Sequence, residues 1–354
     1  MGLTTTIDAD KAKALGPLPS GHPPVRQGRI GVLIANLGTP EATDYWTVRR
    51  YLAEFLSDHR VIEIPKWKWY PILYGIILNI RPQKTGANYK TIWDRQRDES
   101  PLRTITRSQA EKLAAVFAGE PNVSVEWGMR YGTPSMASAV NRLKDQGCDR
   151  ILSVPLYPQY AASTTATAND QLFRALMDMR WMPSIRTLPP YHDDPAYIEA
   201  LARSVETHLA TLDFEPEVVL ASYHGIPQRY FDAGDPYHCH CQKTTRLLRE
   251  RLGWEKEKLM TTFQSLFGRE EWIKPYTEAT VKKLAAEGVK RIAIINPGFS
   301  ADCIETLEEI DGEVREVFMH SGGENFAHIP CLNDTEDSIA MIEQLVRREL
   351  SGWL

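Results

Sequence analysis

Cysteine is scarce in this chain: there are five among 354 residues, and their spacing forms no disulfide framework. A disulfide scaffold is therefore excluded and a reducing compartment is favoured. An excess of positive charge is also lacking, since the formal net charge is −5, and this argues against nucleic acid as a partner. Residues 1–28 are rich in Thr, Pro, Gly and Ala and contain no apolar signal-peptide core. We predict a cytoplasmic protein with a disordered tail over 1–28.

Short apolar, β-branched runs alternate with amphipathic helical patterns along the rest of the chain. Such alternation predicts parallel βαβ units and an α/β fold. The first helical pattern follows the first strand and carries its apolar face on Val48, Tyr51, Leu52 and Phe55. Strands are predicted at 30–35, 123–127, 151–156, 218–222 and 292–295.

An internal repeat organises these units into two halves. The repeat pairs 146–151 with 287–292, the loops 157–165 with 297–306, and the strand ends 36–40 with 223–227. The period is about half the chain, which is too long for a solenoid. We predict two similar Rossmann-like domains, each a parallel sheet flanked by helices, at 29–188 and 189–354. A cleft between them would be the ligand site, with matching positions facing each other.

The stretch 291–310 carries the most chemistry. A buried strand ends at Asn296, and a helix is predicted to begin near Asp302. Glu305, Glu309 and Glu313 recur every four residues and would share one face of that helix. In the alternative interpretation Asp302 is an N-cap, Glu305 completes a capping box, and the other two carboxylates form a solvated face.

His224 is predicted at the carboxyl end of the strand 218–222, on the loop SYHGIP. Open α/β sheets bind ligands at this end of their strands, so His224 and Glu305 are expected to converge on one cleft. One His and one Glu are too few for a structural metal site. They suit a metal in transit or the removal of substrate protons. The alternative is an ordinary hydrogen-bonded loop histidine.

Two further segments each allow two interpretations. Residues 64–82, IPKWKWYPILYGIILNIRP, are apolar but too short and too interrupted by Pro and Gly to span a bilayer. Their Lys–Trp alternation is typical of a membrane interface, and the alternative is a buried helix under a lid. Residues 238–241, His-Cys-His-Cys, suggest a metal cluster, but no second Cys pair with zinc spacing exists. An exposed loop with reduced thiols is the other interpretation.

Several motifs together resemble the ferrochelatase family in order and spacing over nearly all the chain after the tail. They are NLGTP (36–40), RRYLAEFLSD (49–58), SPL (100–102), MRYG (129–132), LYPQY (156–160), SYHGIP (222–227), GDPY (234–237) and PGFSADCIETLEEI (297–310). The resemblance implies insertion of ferrous iron into protoporphyrin IX to give protohaem, the last step of haem synthesis. It also implies two Rossmann-like domains with the porphyrin between them.

The resemblance also implies roles for individual residues. His224 and Glu305 match the family's active-site contacts for iron and pyrrole protons, and Glu309 and Glu313 match an acidic route for iron or protons. Arg130 and Tyr157 match the cleft wall opposite His224. The porphyrin pocket is matched by Leu37, Tyr89, Trp272 and Phe299. The segment 64–80 matches a lip that touches the membrane, which implies peripheral contact with its inner face.

Two departures from animal ferrochelatases qualify the resemblance. Ala162 stands where animal members have a mid-chain cluster cysteine, and Cys331 is the last cysteine, so we expect no animal-type iron–sulfur cluster and no permanent cofactor. Cys303 stands where animal members have a second histidine, which weakens the prediction of a His-rich metal relay. Coproporphyrin or another tetrapyrrole stays open as the substrate, as does a carrier that binds tetrapyrrole without metallating it.

Overall fold

The computed structural model describes residues 28–268 and 270–354, so the predicted tail lies outside the described residues except for Gly28. The first half contains four strands: β1 (Arg29–Gly38), β2 (Val123–Tyr131), β3 (Cys148–Pro155) and β4 (Ser184–Thr187). Its helices are α1 (Tyr45–Leu56), α2 (Lys66–Ile72), α3 (Leu78–Ile92), α4 (Pro101–Val116), α5 (Met136–Asp145) and α6 (Thr167–Met177), with a 3₁₀ turn at Phe117–Gly119 and π-helical turns at Leu73–Ile77 and Ala162–Ala166.

The second half repeats the pattern. Its strands are β5 (Val218–His224), β6 (Leu259–Gln264), β7 (Arg291–Ile295) and β8 (Asn325–Ile329). Its helices are α7 (Pro195–Leu209), α8 (Gln228–Asp232), α9 (Tyr237–Leu252), α10 (Thr277–Ala286), a π-helix at Glu305–Val314, α11 (Arg315–His320) and α12 (Glu336–Glu349). All predicted strands are present, most of them longer than predicted.

The two sheets have the same topology. The strand order is β2-β1-β3-β4 in the first and β6-β5-β7-β8 in the second, and every pairing is parallel. Each half therefore places its first strand between its second and third, so the carboxyl ends of β1 and β5 are equivalent positions. The predicted architecture of two similar α/β domains is confirmed.

The central strands are apolar because helices cover both of their faces. In β1, the side chains of Val32, Leu33 and Ile34 are all 0% exposed. The strand ends at Gly38, whose φ is +112° and where an added Cβ would lie 1.9 Å from the carbonyl oxygen of Tyr131. Only glycine fits this close approach, so the turn that opens into the cleft is fixed by sequence.

The segment from α2 through α3 is half core and half surface. Trp69, Leu73 and Leu78 are buried. Pro82 within α3 cannot donate the helical hydrogen bond to the carbonyl of Leu78, and the hydroxyl of Tyr45 supplies that bond instead at 3.2 Å. The opposite face is exposed, including Trp67, Ile72, Tyr74, Ile76 and Ile80. The buried face agrees with the core interpretation, and the exposed apolar face leaves the membrane contact as a prediction.

The C-terminal helix α12 returns to the first half of the chain. It packs against α4, and Arg347 near its end pairs with Glu120 at 2.6 Å. One hydrophobic cluster accordingly contains residues of both halves, such as Leu113 and Met341. The last strand of the first sheet ends at Thr187 and the next helix begins at Pro195, while α12 ties the halves together. The domain boundary near residue 189 stays a prediction. Among the helices of the described residues, none is long and apolar enough to cross a membrane.

Candidate active site

His224 is the last residue of β5 and stands at the floor of the cleft between the two sheets. Its Nδ1 lies 2.6 Å from the carbonyl oxygen of Gly225. A carbonyl only accepts, so Nδ1 must carry the proton that it donates there. In the neutral ring this leaves the Nε2 lone pair free, because one imidazole nitrogen is then the donor and the other the acceptor.

The cleft encloses a cavity with walls from both halves. Leu37 and Gly38 at the end of β1 line it, as does His224 at the equivalent end of β5. Other lining residues follow β3 and β7, among them Tyr157, Gln159, Thr164, Phe299, Ser300, Cys303 and Glu305. The strand-end loops paired by the internal repeat thus meet at one cavity, as predicted.

Glu305 begins the π-helix and lines the same cavity as His224. The capping box considered from the sequence is not formed. The backbone N–H of Asp302 donates to Asn333 at 2.8 Å, and the Asp302 carboxylate accepts from Thr306 Oγ1 at 3.0 Å rather than from the backbone of Glu305. The Glu305 side chain is therefore not used as a cap, and its location beside His224 supports the site interpretation.

Glu309 lies one turn further along and is held by three donors. Its carboxylate accepts from the backbone N–H of Ser265 at 2.6 Å, from Ser265 Oγ at 2.6 Å and from Gln264 Nε2 at 3.3 Å. Gln264 also donates to the carbonyl oxygen of Glu305 at 2.7 Å. Burial raises the pKa of Glu309, with Glu305 adding to the rise while Ser265 and His224 oppose it. Glu309 therefore releases its proton at a higher pH than an exposed carboxyl.

Glu308 is a neighbouring carboxylate that the sequence did not single out. It accepts a hydrogen bond of 2.7 Å from Asn88 of α3. Its pKa is raised by burial and then by the charge of Glu313. Five positions separate Glu308 from Glu313, the same spacing as the i→i+5 hydrogen bonds of a π-helix. Only π winding makes them neighbours, so an α-helical reading of the sequence could not have found the pair. Glu313 itself is exposed.

Aromatic residues form much of the facing wall. Tyr89 and Tyr157 both line the cavity and are nearly buried. Burial raises the pKa of both phenols, and the nearby Glu305 adds to the rise at Tyr89, so both remain protonated. Within the described residues, the Tyr157 hydroxyl has no hydrogen-bond partner. Leu37 and Phe299 are half-buried and add apolar surface, as predicted.

Two predicted site residues lie behind the cavity wall instead of on it. Arg130 is 6% exposed because its guanidinium pairs with Asp58 and its Nε donates to Thr167 Oγ1 at 2.6 Å. Arg130 is therefore not among the residues that line the cavity in this structure, and its role in the site stays a prediction. Trp272 is not in the lining either, but its ring centroid is 6.3 Å from that of His224. Its ring is thus a neighbour of the His224 ring.

The His-Cys-His-Cys motif lies in the first turn of α9, where its side chains diverge. Cys241 is buried, Cys239 is exposed, and His238 packs on the Phe263 ring with a centroid distance of 5.5 Å. In the part of the chain that the structure describes, no three His, Cys, Asp or Glu side chains are grouped closely enough to hold a metal ion. The four side chains of the motif therefore lie in different environments and do not converge on one point.

Two parallel sheets of one topology with a cleft between them form the fold of the two-domain chelatases. The structure is similar to SirB from Bacillus subtilis solved with Fe³⁺, at a TM-score of 0.55 and 13% identity over 90% of this chain and 95% of that one. The sirohydrochlorin chelatase SirB of Bacillus subtilis subspecies spizizenii, solved with cobalt, has a TM-score of 0.53 at 10% identity over 90% and 94%. At such identities the likeness shows the fold alone.

Sequence similarity defines the family more closely. The family model described as Ferrochelatase matches residues 29–350. A ferrochelatase of Agrobacterium fabrum is 64% identical over 97% of this chain and 100% of its own length, and one of Mesorhizobium japonicum is 63% identical over 98% of both. The chain belongs to the ferrochelatase family. The predicted resemblance and enzyme class, a lyase of haem biosynthesis, are confirmed.

Proposed function

We propose that this protein inserts ferrous iron into protoporphyrin IX to form protohaem, the terminal step of haem biosynthesis, in the cleft between its halves. Family membership supports the reaction. The observation that carries the residue assignment is that His224 and Glu305 share one cavity with an aromatic and apolar wall. Aromatic walls suit a flat apolar macrocycle.

Metallation requires removal of the pyrrole protons and of the water around the metal ion. His224 is the proposed proton acceptor, since the bond from its Nδ1–H to Gly225 leaves Nε2 as a lone pair. Glu305 is the proposed contact for the incoming iron, because a carboxylate binds a divalent cation through oxygen and exchanges it readily. Both residues would then meet the reacting atoms, and no resident cofactor is needed in this scheme.

The carboxylates of the π-helix are the proposed route to this site. Glu313 is exposed, Glu308 is next to it, and Glu309 lies between them and Glu305. After burial, the charges of Glu313 and Glu309 raise the pKa of Glu308, and the charge of Glu305 raises the pKa of Glu309. A passing cation or proton therefore relieves a repulsion that is already present. This supports passage along the helix from solvent towards the cavity.

The exposed face of α2 and α3 is the proposed membrane contact of a cytoplasmic enzyme. Trp67 is 73% and Ile80 is 67% exposed, and the exposed Lys66 and Lys68 flank Trp67. Leu266 and Phe267 of the other half are also exposed, and the Arg81 guanidinium lies 4.7 Å from the Phe267 ring centroid. Apolar side chains with basic neighbours suit an anionic lipid surface, from which protoporphyrin could enter the cleft.

An anaerobic metallation assay tests the function. Purified protein is mixed with ferrous iron and either protoporphyrin or coproporphyrin, and the fluorescence of the free porphyrin is followed. The expected result is loss of protoporphyrin fluorescence at a catalytic rate. Preferred turnover of coproporphyrin would change the substrate, and tight binding of both without metallation would indicate a carrier.

A further inference from the structure

The wall of the cavity in the first half is attached to the second half through α9. The wall is the segment 157–162, which follows β3 and contains Tyr157. Three hydrogen bonds join it to the other half: Gln159 Nε2 to Thr244 Oγ1 at 3.0 Å, the Tyr160 N–H to His240 Nδ1 at 3.2 Å, and the Ala162 N–H to Asp235 Oδ2 at 2.8 Å. The acceptors all lie in or just before the helix that carries the His-Cys-His-Cys motif.

His240 can make its bond only as a neutral ring. Its Nδ1 accepts the Tyr160 N–H, so the proton of the ring sits on Nε2. One face of the His240 ring stacks on the ring of His192, with ring centroids 3.6 Å apart and planes inclined by 6°. Burial lowers the pKa of His240, and burial followed by the proximity of His240 lowers the pKa of His192 to about 4. Near neutral pH both rings are uncharged and the stack carries no repulsion.

The second link has a direction that the surrounding bonds determine. Thr244 Oγ1 donates its single proton to the carbonyl of His192 at 2.7 Å, so it must accept from Gln159. This orients the Gln159 amide with Nε2 towards Thr244. Gln159 is 2% exposed and lines the cavity, so its position is part of the wall itself.

We propose that His240 is a positioning residue for porphyrin binding, which together with Thr244 holds the segment 157–162 as a fixed wall. This inference rests on the proposed function, since it concerns how the same cavity holds its macrocycle. His224 and Glu305 are held independently within the second half, by Gly225 and Gln264. Loosening the wall therefore weakens the grip on the porphyrin while the reacting groups stay in place.

The variants His240→Leu and His240→Asn separate positioning from packing. Leu removes the acceptor, whereas the Asn side-chain oxygen branches at the same atom as Nδ1 and can accept the Tyr160 N–H. For His240→Leu the KM for protoporphyrin should rise about fivefold, the ratio expected for one lost hydrogen bond. The kcat and the KM for ferrous iron should stay unchanged. His240→Asn should restore most of the loss, and Thr244→Val should act like His240→Leu.

Cys239→Ser is the matched control, because Cys239 is exposed on the same turn and should leave every constant unchanged. Unchanged KM in both His240→Leu and Thr244→Val would overturn the proposal, as would an Asn variant as impaired as Leu. If the wild type holds a metal that the Cys239 and His240 variants lose, the motif is a metal site and the proposed positioning role is wrong. Protoporphyrin affinity measured by fluorescence titration, without iron, keeps this test separate from turnover. A wild-type protein that binds porphyrin but does not metallate it would contradict the proposed function alone.

Discussion

The two halves of this molecule have one topology but place different side chains at matching positions of the cleft. The end of β1 presents Leu37, and the equivalent end of β5 presents His224. The next residue is glycine in each case, Gly38 and Gly225, since neighbouring backbone leaves little room for a Cβ at either position. The scaffold of the turn is thus shared, and only the residue that faces the cavity differs.

The second matching pair shows the same division. Each half has π winding after its third strand, at Ala162–Ala166 in the first half and at Glu305–Val314 in the second. Thr164 lines the cavity from the shorter turn, and Glu305 lines it from the longer helix. The imidazole of His224 and the carboxylate of Glu305 therefore come from the second half. The first half supplies uncharged wall residues and the exposed apolar face of α2 and α3.

The largest expected effect is at the first matching pair. His224→Ala should lower the metallation rate by about a hundredfold or more, the usual contribution of a positioned proton acceptor. Protoporphyrin affinity, measured by fluorescence titration, should change little. Leu37→Ala at the matching position should raise the KM for protoporphyrin and leave kcat nearly intact, since it removes only apolar contact. Near-normal turnover in a folded His224→Ala protein would show that His224 is not the proton acceptor and that the two matching positions do not differ in catalytic role.

The carboxylates of the π-helix should rank by their distance from the cavity. Glu305→Gln should lower the rate by about a hundredfold, because an amide accepts no proton and holds iron poorly. Glu309→Gln should cost less and the exposed Glu313→Gln least. Thermal denaturation of the three variants serves as the control: with no capping box at Asp302, the melting temperature of Glu305→Gln should match wild type. A loss of activity that follows a loss of stability would argue against catalysis by Glu305.

Helix α2 of the proposed membrane contact contains two tryptophans, the exposed Trp67 and the buried Trp69, whose replacement should have different effects. Replacing the exposed Trp67 and Ile76 by Ser should weaken binding to anionic vesicles about tenfold or more, since large apolar side chains gain roughly 1.5–3 kcal/mol on full burial. The melting temperature should not change. Trp69→Ser is the matched control: Trp69 is buried and its Nε1 donates to the Leu56 carbonyl at 2.7 Å, so this change should destabilise the fold. Unaltered vesicle binding in the first variant would remove the membrane contact.

The smallest expected effect is a dependence of stability on pH. Burial raises the pKa of Glu309 above its ordinary value of 4.5. From there up to the raised pKa, the folded protein binds more protons than the unfolded chain, so stability falls as the pH rises. Glu309→Gln cannot ionise and should lack this decline. The melting temperature of wild type minus that of Glu309→Gln should therefore decrease as the pH is raised from about 4.5. A constant difference would contradict a raised pKa.

Local patterns predicted most of the scaffold. The apolar runs identified the strands, and the repeat identified two halves, with His224 and Glu305 on two strand-end loops of the second half. Long-range pairing was beyond local patterns: Arg130 meets Asp58, seventy-two positions earlier, and so lies behind the wall. The packing of α12 against the first half and the hydrogen bond from Tyr160 to His240 are likewise tertiary contacts between residues far apart in the sequence. The winding at Glu305–Val314 was hidden because carboxylates four apart share a side in both α- and π-helices.

Because of this π winding, the arrangement of the acidic side chains depends on the number of residues in the segment Glu305–Val314. In an α-helix, residues five apart are separated by about 140° around the axis, at about 100° per residue. Glu308 and Glu313 would then point in different directions. Removing a single codon within 305–314 could relax the π-helix to an α-helix while retaining nearly every residue type. Where the removed residue lies outside 309–312, Glu308 and Glu313 stay five positions apart and would no longer be neighbours, although neither charge has been mutated.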